Sequence, residues 1–359
     1  MLKKIVLAVI GITVLLIIIS TIILFRRESP IDPVAYTAPK KPEMTGVLEP
    51  NDLLQNAELL AQGKVKGPGE IAVDEQGRIY FGTPAGTISR LLSNGVIETF
   101  TETGGRPLGM KFDQKGNLIV ADANKGLLSV NPQGSIMILA TSADSIPFKL
   151  TNGLDIAKNG TIYFTDSSDK YSLKDYLLDM FEARPHGRFM RYDPNTSTVT
   201  VLMRELNFAN GVALSGNEDF VLVSETYQYR IHRYWLAGPQ AGKSEIFIDN
   251  LPGFPDNISY NGKDKFWLAL FTIRSGVLDT LHKYPILKSL LTRLPASMWP
   301  EHKRYGFVAS IDERGNIIET LQDPDGNHLY DVTSAQEYAG YLYLGSPESD
   351  RIGRLKVGQ

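Results

Sequence analysis

Hydrophobic and polar residues alternate along most of the chain in short runs that are typical of β-strands. Each run of Tyr, Phe and β-branched residues leads through a tight turn into a second run of the same kind. Six such strand–turn–strand units occur, at residues 67–83, 105–123, 151–167, 209–226, 255–271 and 331–346. Each unit continues into further alternating strands, so the pattern predicts an all-β fold, a six-bladed β-propeller with four strands in each blade.

A short apolar run at residues 57–63 precedes the first unit, whereas the sixth unit is followed only by residues 349–358. The last blade therefore lacks one strand. We expect the N-terminal run to supply it, which would close the ring and leave no open sheet edge at the junction.

Two segments interrupt the strand pattern, at about residues 171–185 and 275–305, and both carry apolar residues at helical spacing. We predict short helical inserts in the third and fifth units. They either pack on each other as a simple cap or form a lid over the channel mouth. In the second case, their leucines, Met298 and Trp299 would be available to contact a membrane.

The N-terminus predicts a membrane anchor, because residues 5–25 form an uncharged run of 21 residues. A cleaved signal peptide is disfavoured, since its apolar region usually has only about 7–15 residues. We assign residues 1–27 to the anchor with short flanks, residues 28–50 to a Pro-rich extended linker and residues 51–359 to the propeller. We expect a single-pass protein with its N-terminus in the cytoplasm and the propeller on the extracytoplasmic side.

Composition excludes several classes of function. The 359 residues carry a net charge of −3 and show no basic stripe with interleaved aromatic residues, so nucleic acid is not an expected partner. The absence of Cys excludes zinc fingers and thiol nucleophiles. No sequence feature indicates a particular protein partner.

Oxygen-bearing side chains stand near the start of four units, at Glu70, Asn152, Asn210 and the pair Asp256–Asn257. The first strand of every blade lines the channel of a propeller, so these side chains should converge at one end of the axis. Ca²⁺ takes six to eight oxygen ligands, and two carboxylates would balance its charge. Taken alone, each Asn-Gly pair is typical of a turn. The recurrence of oxygen-bearing side chains at equivalent places in the repeat instead favours one calcium ion. We expect all five residues to hold it: Glu70, Asn152, Asn210, Asp256 and Asn257.

Several motifs resemble the strictosidine synthase-like group of calcium-dependent propellers, which is related to the paraoxonase, diisopropylfluorophosphatase and gluconolactonase groups. They are GRPLGM (105–110), LTNGLDI (150–156), YFTDSS (163–168), FANGVALS (208–215), RYWLAGPQAG (233–242) and NLPGFPDNI (250–258). The resemblance runs from about residue 45 to the end of the chain. It implies a hydrolase scaffold with one catalytic calcium at the channel mouth.

The chain departs from these groups at particular positions. The glutamate that strictosidine synthases use for condensation corresponds to about Thr333, so that activity is not expected. The second-blade histidine of the paraoxonase group corresponds to Leu108. Ile71 and Gly153 stand where that group has the acidic ligands of a second calcium, so we expect a single ion.

These observations predict a membrane-anchored hydrolase of small-molecule esters or lactones. Calcium would polarise the carbonyl group, and Asp256 would act either as a nucleophile or, together with Glu70, as a base toward water. The alternative is a binding or adaptor module whose calcium is structural. None of the five histidines falls in a metal or triad pattern, although His186 and His302 are close enough to the inserts for one of them to act as a base.

Overall fold

The computed structural model describes residues 5–6, 9–13, 15 and 28–358. Six antiparallel four-stranded sheets surround a central channel, and the first strands of successive blades contact one another around the ring. The predicted all-β six-bladed propeller is confirmed. Five of the six predicted units contain the first two strands of a blade, and the fifth unit, at 255–271, covers all but the ends of Gly253–Tyr260 and Lys265–Ile273.

The blades follow one another along the chain. Blade 1 consists of Ile71–Val73, Ile79–Gly82, Thr87–Leu91 and Ile97–Glu102, and blade 2 of Pro107–Phe112, Leu118–Asp122, Gly126–Val130 and Ile136–Ala140. Blade 3 consists of Thr151–Ile156, Ile162–Asp166, Gly187–Asp193 and Thr198–Leu206, and blade 4 of Ala209–Leu214, Phe220–Glu225, Arg230–Trp235 and Ser244–Ile248. Blade 5 consists of Gly253–Tyr260, Lys265–Ile273, Gly306–Asp312 and Ile317–Asp323, and blade 6 of Ser334–Tyr338, Tyr341–Gly345, Ile352–Lys356 and Glu58–Leu60.

Short elements connect and cover the blades. A two-stranded hairpin lies between blades 2 and 3, at Ser142–Ala143 and Ile146–Pro147. The 3-10 helices are Gly46–Leu48, Leu53–Asn56, Leu173–Asp175, Thr226–Gln228 and Ala296–Met298. The α-helices of the described residues outside the N-terminal segment are α1 (Tyr176–Glu182), α2 (Gly276–Leu281) and α3 (Pro285–Thr292).

Aromatic residues fill the spaces between adjacent blades. The ring of Tyr80, which is 2% exposed, packs edge-on against Phe100 at 5.2 Å and against Phe112 of the next blade at 5.1 Å. Trp267 of blade 5 is fully buried and donates its indole N–H to Glu337 of blade 6 over 2.7 Å. Such rings bury a large apolar area in specific geometries, so they stabilise the stacking of the sheets.

The ring closes as predicted. Glu58–Leu60 pairs antiparallel with Ile352–Lys356, and Glu58 also forms an ion pair with Arg354 on that strand. Blade 6 thus contains both the first and the last strand of the propeller. The hydrogen bonds of this pairing hold the two ends of the ring together.

Both predicted helical inserts are present at the mouth end of the ring. The first, with α1, lies between the second and third strands of blade 3, and the second, with α2 and α3, occupies the same place in blade 5. They pack on each other through Phe181 and Trp299, whose ring centroids lie 5.3 Å apart. The indole N–H of Trp299 donates to the carbonyl oxygens of Leu291 and Leu294, so this side chain serves packing within the insert.

The Pro-rich segment lies on the propeller, whereas a free spacer was expected. We call residues 31–50 the N-terminal strap. Ile31 is buried in the core cluster that spans blades 4 and 5 and the inserts. The Asp32 and Val34 N–H groups donate to Glu182 of α1, and Lys288 of α3 donates to the Val34 carbonyl oxygen over 2.6 Å. Tertiary hydrogen bonds therefore fix a segment whose composition alone predicts a linker.

The predicted transmembrane helix at residues 5–25 falls largely outside the described residues. Within the part of the chain that the structure describes, no helix is both long and apolar enough to cross a bilayer. The anchor therefore stays a prediction.

Candidate functional site

The predicted site residues converge at the mouth end of the channel. Asn152, Asn210 and the pair Asp256–Asn257 lie on the first strands of blades 3, 4 and 5, and Glu70 directly precedes the first strand of blade 1. The amide nitrogen of Asn257 lies 2.9 Å from Glu70 Oε2 and 3.4 Å from Asp256 Oδ1. Positions far apart in the sequence thus form one group of side chains.

A β-bulge interrupts the strand pairing at the site residues of blades 3, 4 and 5. In blades 3, 4 and 5 the register between the first and second strands shifts at residues 152–153, at residues 210–211 and within residues 253–258. An equivalent shift occurs in blade 2 at Leu108. A bulge changes the direction of a side chain, so the repeated bulges turn the site residues toward the channel.

The glycines after the two asparagines serve close packing of neighbouring strands and do not form turns. A Cβ atom on Gly153 would lie 2.5 Å from the Asn210 carbonyl oxygen, and one on Gly211 would lie 2.5 Å from the Asn257 Cα. Neither glycine has a positive φ angle. The interpretation of Asn-Gly as a simple turn is therefore wrong here, because both pairs lie within strands that only glycine allows to approach so closely.

Hydroxyl groups that directly follow the second strands of blades 3 and 4 set the orientation of the asparagine amides. Ser167 donates its hydroxyl hydrogen to the Ala209 carbonyl oxygen over 2.6 Å and accepts the Asn152 amide at 3.0 Å. Thr226 donates to the Pro255 carbonyl oxygen over 2.7 Å and accepts the Asn210 amide at 3.2 Å. Because each hydroxyl has a single hydrogen, the amide nitrogens must face these hydroxyls. The amide oxygens are then left for another partner.

The oxygen of Asn210 has no such partner in the protein. Asn210 is 2% exposed, and its Oδ1 atom is buried without a hydrogen bond to any described residue. Buried polar atoms are nearly always hydrogen-bonded or bound to an ion or water. This atom therefore has the property expected of a ligand to a cation or to an ordered water.

Burial disfavours the ionisation of both carboxylates at the site. Burial raises the pKa of Asp256 to about 8, although Asn257 and Asn210 partly oppose the shift. Burial also raises the pKa of Glu70 well above its usual range, and the neighbouring Asp256 raises it further. Both groups can carry their charge near neutral pH if a cation lies between them.

The set of ligands fits a hard cation. Among the described residues, no group of three or more His, Cys, Asp or Glu side chains has metal-binding geometry. The candidate site instead combines two carboxylates with three amides. Carboxylate and amide oxygens suit Ca²⁺, whereas zinc and the later transition metals favour nitrogen or sulfur.

Thr333 and Leu108 occupy the remaining places of the ring. The Thr333 hydroxyl donates to the Gly69 carbonyl oxygen over 2.7 Å, and the Thr333 carbonyl oxygen accepts the Asn257 N–H at 3.1 Å. Thr333 thus joins blade 6 to blades 1 and 5. Leu108 adds an apolar surface where a general base would be needed for a histidine mechanism.

Carboxylates at the ends of the second strands stabilise the loops between blades. Asp122 accepts the Arg106 N–H, Asp166 accepts the Leu150 N–H, and Glu225 accepts the Asn207 N–H, all at 2.7–2.8 Å. Each of these three acidic residues therefore holds the backbone that enters the first strand of its own blade.

The first insert lies over the site. The Tyr227 hydroxyl donates to the Tyr176 carbonyl oxygen of α1 over 3.1 Å, and its ring packs on Phe208 at 4.5 Å. Burial raises the pKa of Tyr227, and the nearby Asp179 and Asp256 act in the same direction. Tyr227 therefore lies between α1 and the carboxylate site, which gives the mouth an aromatic wall.

The histidines divide into structural residues and one residue near the mouth. Asp169 and Glu182 raise the pKa of His186 to about 9, so it is a cation and a poor base. Three other histidines lie away from the carboxylates of the site. His232 lies against Glu225, His282 lies within the second insert, and His328 contacts the Ala57 carbonyl oxygen. His302 pairs with the buried Asp331 at 2.9 Å, two residues before Thr333.

Family models and relatives agree with this architecture. A model described as strictosidine synthase matches residues 152–239, and one described as strictosidine synthase-like, N-terminal, matches residues 46–91. An adipocyte plasma membrane-associated protein of Rattus norvegicus is 40% identical over 354 residues, covering 92% of this chain and 94% of the relative. The chain belongs to the strictosidine synthase-like family.

A plant relative extends this result. The protein called strictosidine synthase-like 6 of Arabidopsis thaliana is 36% identical over 338 residues, covering 91% of this chain and 89% of the relative. This strictosidine synthase-like protein thus matches animal and plant relatives over nearly their whole length. The resemblance drawn from its motifs is confirmed.

Solved structures share the fold of this strictosidine synthase-like protein. A gluconolactonase from Xanthomonas campestris is 16% identical with a TM-score of 0.61, covering 93% of this chain and 99% of that chain. The calcium-binding protein regucalcin from Agrobacterium tumefaciens is 15% identical with a TM-score of 0.57, covering 85% and 92%. At such identities the likeness establishes the propeller fold alone.

Proposed function

We propose that this strictosidine synthase-like protein is a membrane-associated, calcium-dependent hydrolase of small-molecule esters or lactones. The observation that carries the proposal is the pairing of two channel carboxylates with a buried amide oxygen that has no partner. Glu70 and Asp256 both have raised pKa values, and Asn210 Oδ1 is orphaned beside them. Such a group is costly to a fold unless it binds something.

The residues that would hold one calcium ion are Glu70, Asn152, Asn210, Asp256 and Asn257. When bound, calcium would supply positive charge that polarises a substrate carbonyl group and stabilises a developing oxyanion. The hydroxyls of Ser167 and Thr226 accept the amide nitrogens of Asn152 and Asn210, so the amide oxygens of these two asparagines stay available to an ion. This arrangement would be preorganised before substrate arrives.

Asp256 is our choice for the residue that accepts a proton from water or attacks the carbonyl carbon. Glu70, whose Oε2 atom accepts the Asn257 amide, would either act with Asp256 as a base toward water or serve only to hold the ion. Leu108 offers no proton acceptor in blade 2, so a carboxylate has to do this work at the site. A base close to the reacting water typically contributes a factor of about 10²–10⁴ to the rate.

The names of relatives and of proteins with the same fold support this proposal. Two solved structures with the same fold are titled a gluconolactonase and a calcium-binding protein. The name of the animal relatives describes association with the plasma membrane. We propose the same association for this chain through the uncharged residues 5–25, with the propeller on the extracytoplasmic side.

The experiment is a hydrolysis screen of the full-length protein in detergent micelles. Aryl esters and lactones are tested with calcium, with a chelator, and with calcium restored. We expect turnover that disappears with the chelator and returns with calcium. Turnover that is indifferent to the chelator would contradict a calcium-dependent mechanism.

A non-catalytic adaptor is the second candidate. It is favoured by the apolar Leu108 in the ring and by the cover that α1 and Tyr227 form over the mouth. If calcium raises the thermal midpoint but no ester or lactone in the screen is hydrolysed, the calcium is structural and the adaptor function is preferred.

A further inference from the structure

A buried arginine at the channel mouth lacks the partner that every other buried arginine has. Three arginines in the described part of the chain are less than 9% exposed: Arg106, Arg188 and Arg274. Arg188 pairs with Asp166 at 2.6 Å, and Arg274 pairs with Asp279 at 2.9 Å. The Arg106 side chain makes neither a hydrogen bond nor an ion pair with any described residue, and its Nη1 atom is buried.

The nearest carboxylates do not neutralise Arg106. Asp122 is fully buried, and its two oxygens already accept N–H groups of the Arg106 loop and the Thr103 hydroxyl. Glu348 is exposed and lies beyond ion-pair distance. Burial lowers the pKa of Arg106, and the charges of Glu348 and Asp122 only partly oppose this shift. The guanidinium does not lower the pKa of Glu70 or of Asp256. The guanidinium therefore has no hydrogen-bonded or ion-paired partner among the described residues.

The location of the guanidinium connects it to the proposed active site. Arg106 directly precedes the first strand of blade 2, and its backbone N–H is fixed by Asp122 at 2.8 Å. A Cβ atom on Gly69 would lie 3.6 Å from Arg106 Nη2 and 3.7 Å from the Thr333 hydroxyl oxygen. The guanidinium thus lies beside the residue that precedes Glu70, at the mouth end of the ring.

We infer that Arg106 forms a subsite for an oxyanion, so that the ester or lactone substrate carries a carboxylate or phosphate group. This inference rests on the proposed function for the identity of the substrate. A guanidinium presents planar donors that match such oxyanions with two parallel hydrogen bonds. A buried charge without a partner is costly, and an anionic ligand would relieve that cost.

The test measures anion binding separately from hydrolysis. Full-length protein in detergent micelles is titrated calorimetrically with phenylacetate, with phenylphosphonate and with the neutral phenylacetamide. Calcium is first removed with a chelator, and the chelator is then removed by gel filtration in calcium-free buffer, so that neither calcium nor the carboxylates of the chelator interfere with anion binding. We expect at least one anion to bind about tenfold or more tightly than the amide, as charge-assisted hydrogen bonds allow, and the two anions distinguish carboxylate from phosphate chemistry.

Three variants test whether Arg106 causes the preference for an anion over the neutral amide. Arg106→Gln should abolish it, and Arg106→Lys should keep part of it. Arg314→Gln is the matched control, because Arg314 is exposed at the opposite end of the ring, between the last two strands of blade 5. Equal binding of anion and amide by the wild type, or a preference that persists in Arg106→Gln, would overturn the subsite.

Thermal unfolding separates a ligand-binding arginine from a structural one. Without ligand, Arg106→Gln should not lower the thermal midpoint, since it removes a buried charge that has no partner. Arg188→Gln should lower it, because Asp166 would lose its partner. A comparable loss in both variants would show that Arg106 is structural. Because none of these measurements requires turnover, a failed hydrolysis screen would leave their result unaffected.

Discussion

The side-chain amide of Asn257 donates a hydrogen bond of 2.9 Å to Glu70 Oε2, although the two residues lie 187 positions apart. This bond crosses the channel mouth and joins blade 5 to blade 1. It also brings Asp256 close enough to raise the pKa of Glu70. The contact between these two residues is the centre of the proposed calcium site.

Calcium should raise the thermal midpoint of the full-length protein. A ligand that binds only the folded state stabilises it by about 2.7 kcal/mol at a hundredfold excess over Kd. Asp256→Ala should abolish the calcium-induced shift, as measured by thermal unfolding with calcium and with chelator. Asn210→Leu should also reduce it, because the Oδ1 atom that we propose as a ligand is removed. An identical melting curve in calcium and in chelator would refute the assignment.

The carboxylates should matter more for turnover than any histidine. We expect Asp256→Asn and Glu70→Gln to fold normally and to lower turnover by about 10²–10⁴, the usual effect of losing a general base. His302→Ala should have a far smaller effect, measured with the best substrate of the screen. The opposite result, an inactive His302→Ala with an active Asp256→Asn, would assign the base to the His302–Asp331 pair.

The N-terminal strap should contribute to the stability of the propeller. A chain that begins at residue 45 loses the buried Ile31 and leaves the Lys288 ammonium group without the Val34 carbonyl oxygen. We expect it to be about 2–5 kcal/mol less stable in urea than a chain that begins at residue 28. Lys288→Met should recover part of this difference in the short chain only. Equal unfolding midpoints for the two chains would show that the strap is dispensable.

Stability should fall on the alkaline side because of His186. Asp169 and Glu182 raise its pKa from 6.5 to about 9. A raised pKa means that the folded state binds the proton more tightly, so this stabilisation is complete below pH 6.5 and is lost as the pH rises through 9. The thermal midpoint of His186→Gln should therefore change less between pH 6.5 and 9 than that of the wild type.

Asp169→Asn serves as the intermediate case for the same measurement. It removes one of the two carboxylates that hold the imidazolium, the one 3.6 Å from His186 Nδ1, and leaves Glu182 at 2.9 Å from Nε2. Its alkaline slope should lie between those of the wild type and His186→Gln. If all three proteins show the same slope, a different group controls the alkaline loss.

The sequence predicted those features that depend on local pattern. Alternating strands and their repetition gave the six blades, and an unmatched run at residues 57–63 gave the closing strand. Because a propeller brings the starts of its first strands together, the convergence of Glu70, Asn210 and Asp256 followed from the repeat.

Other features depend on contacts between distant segments and have no local signal. The bulge at Asn210 and the hydroxyl of Thr226 that orients its amide become visible only when two strands are paired. The same holds for the missing partner of Arg106, because any carboxylate in the chain was available to it in principle. The strap was misjudged as a spacer, since proline content sets chain stiffness but not the surface on which the chain lies.

Because Glu58–Leu60 pairs with Ile352–Lys356, blade 6 can form only after almost the whole chain has been synthesised. Glu58 and Arg354 are 296 residues apart, so the ribosome needs about 15–60 s between them at about 5–20 residues per second. During that interval the first strand has no partner and the ring stays open at blade 6. A nascent chain that stops before Ile352 can never close, and its exposed strand edges make it a substrate for chaperones and for degradation.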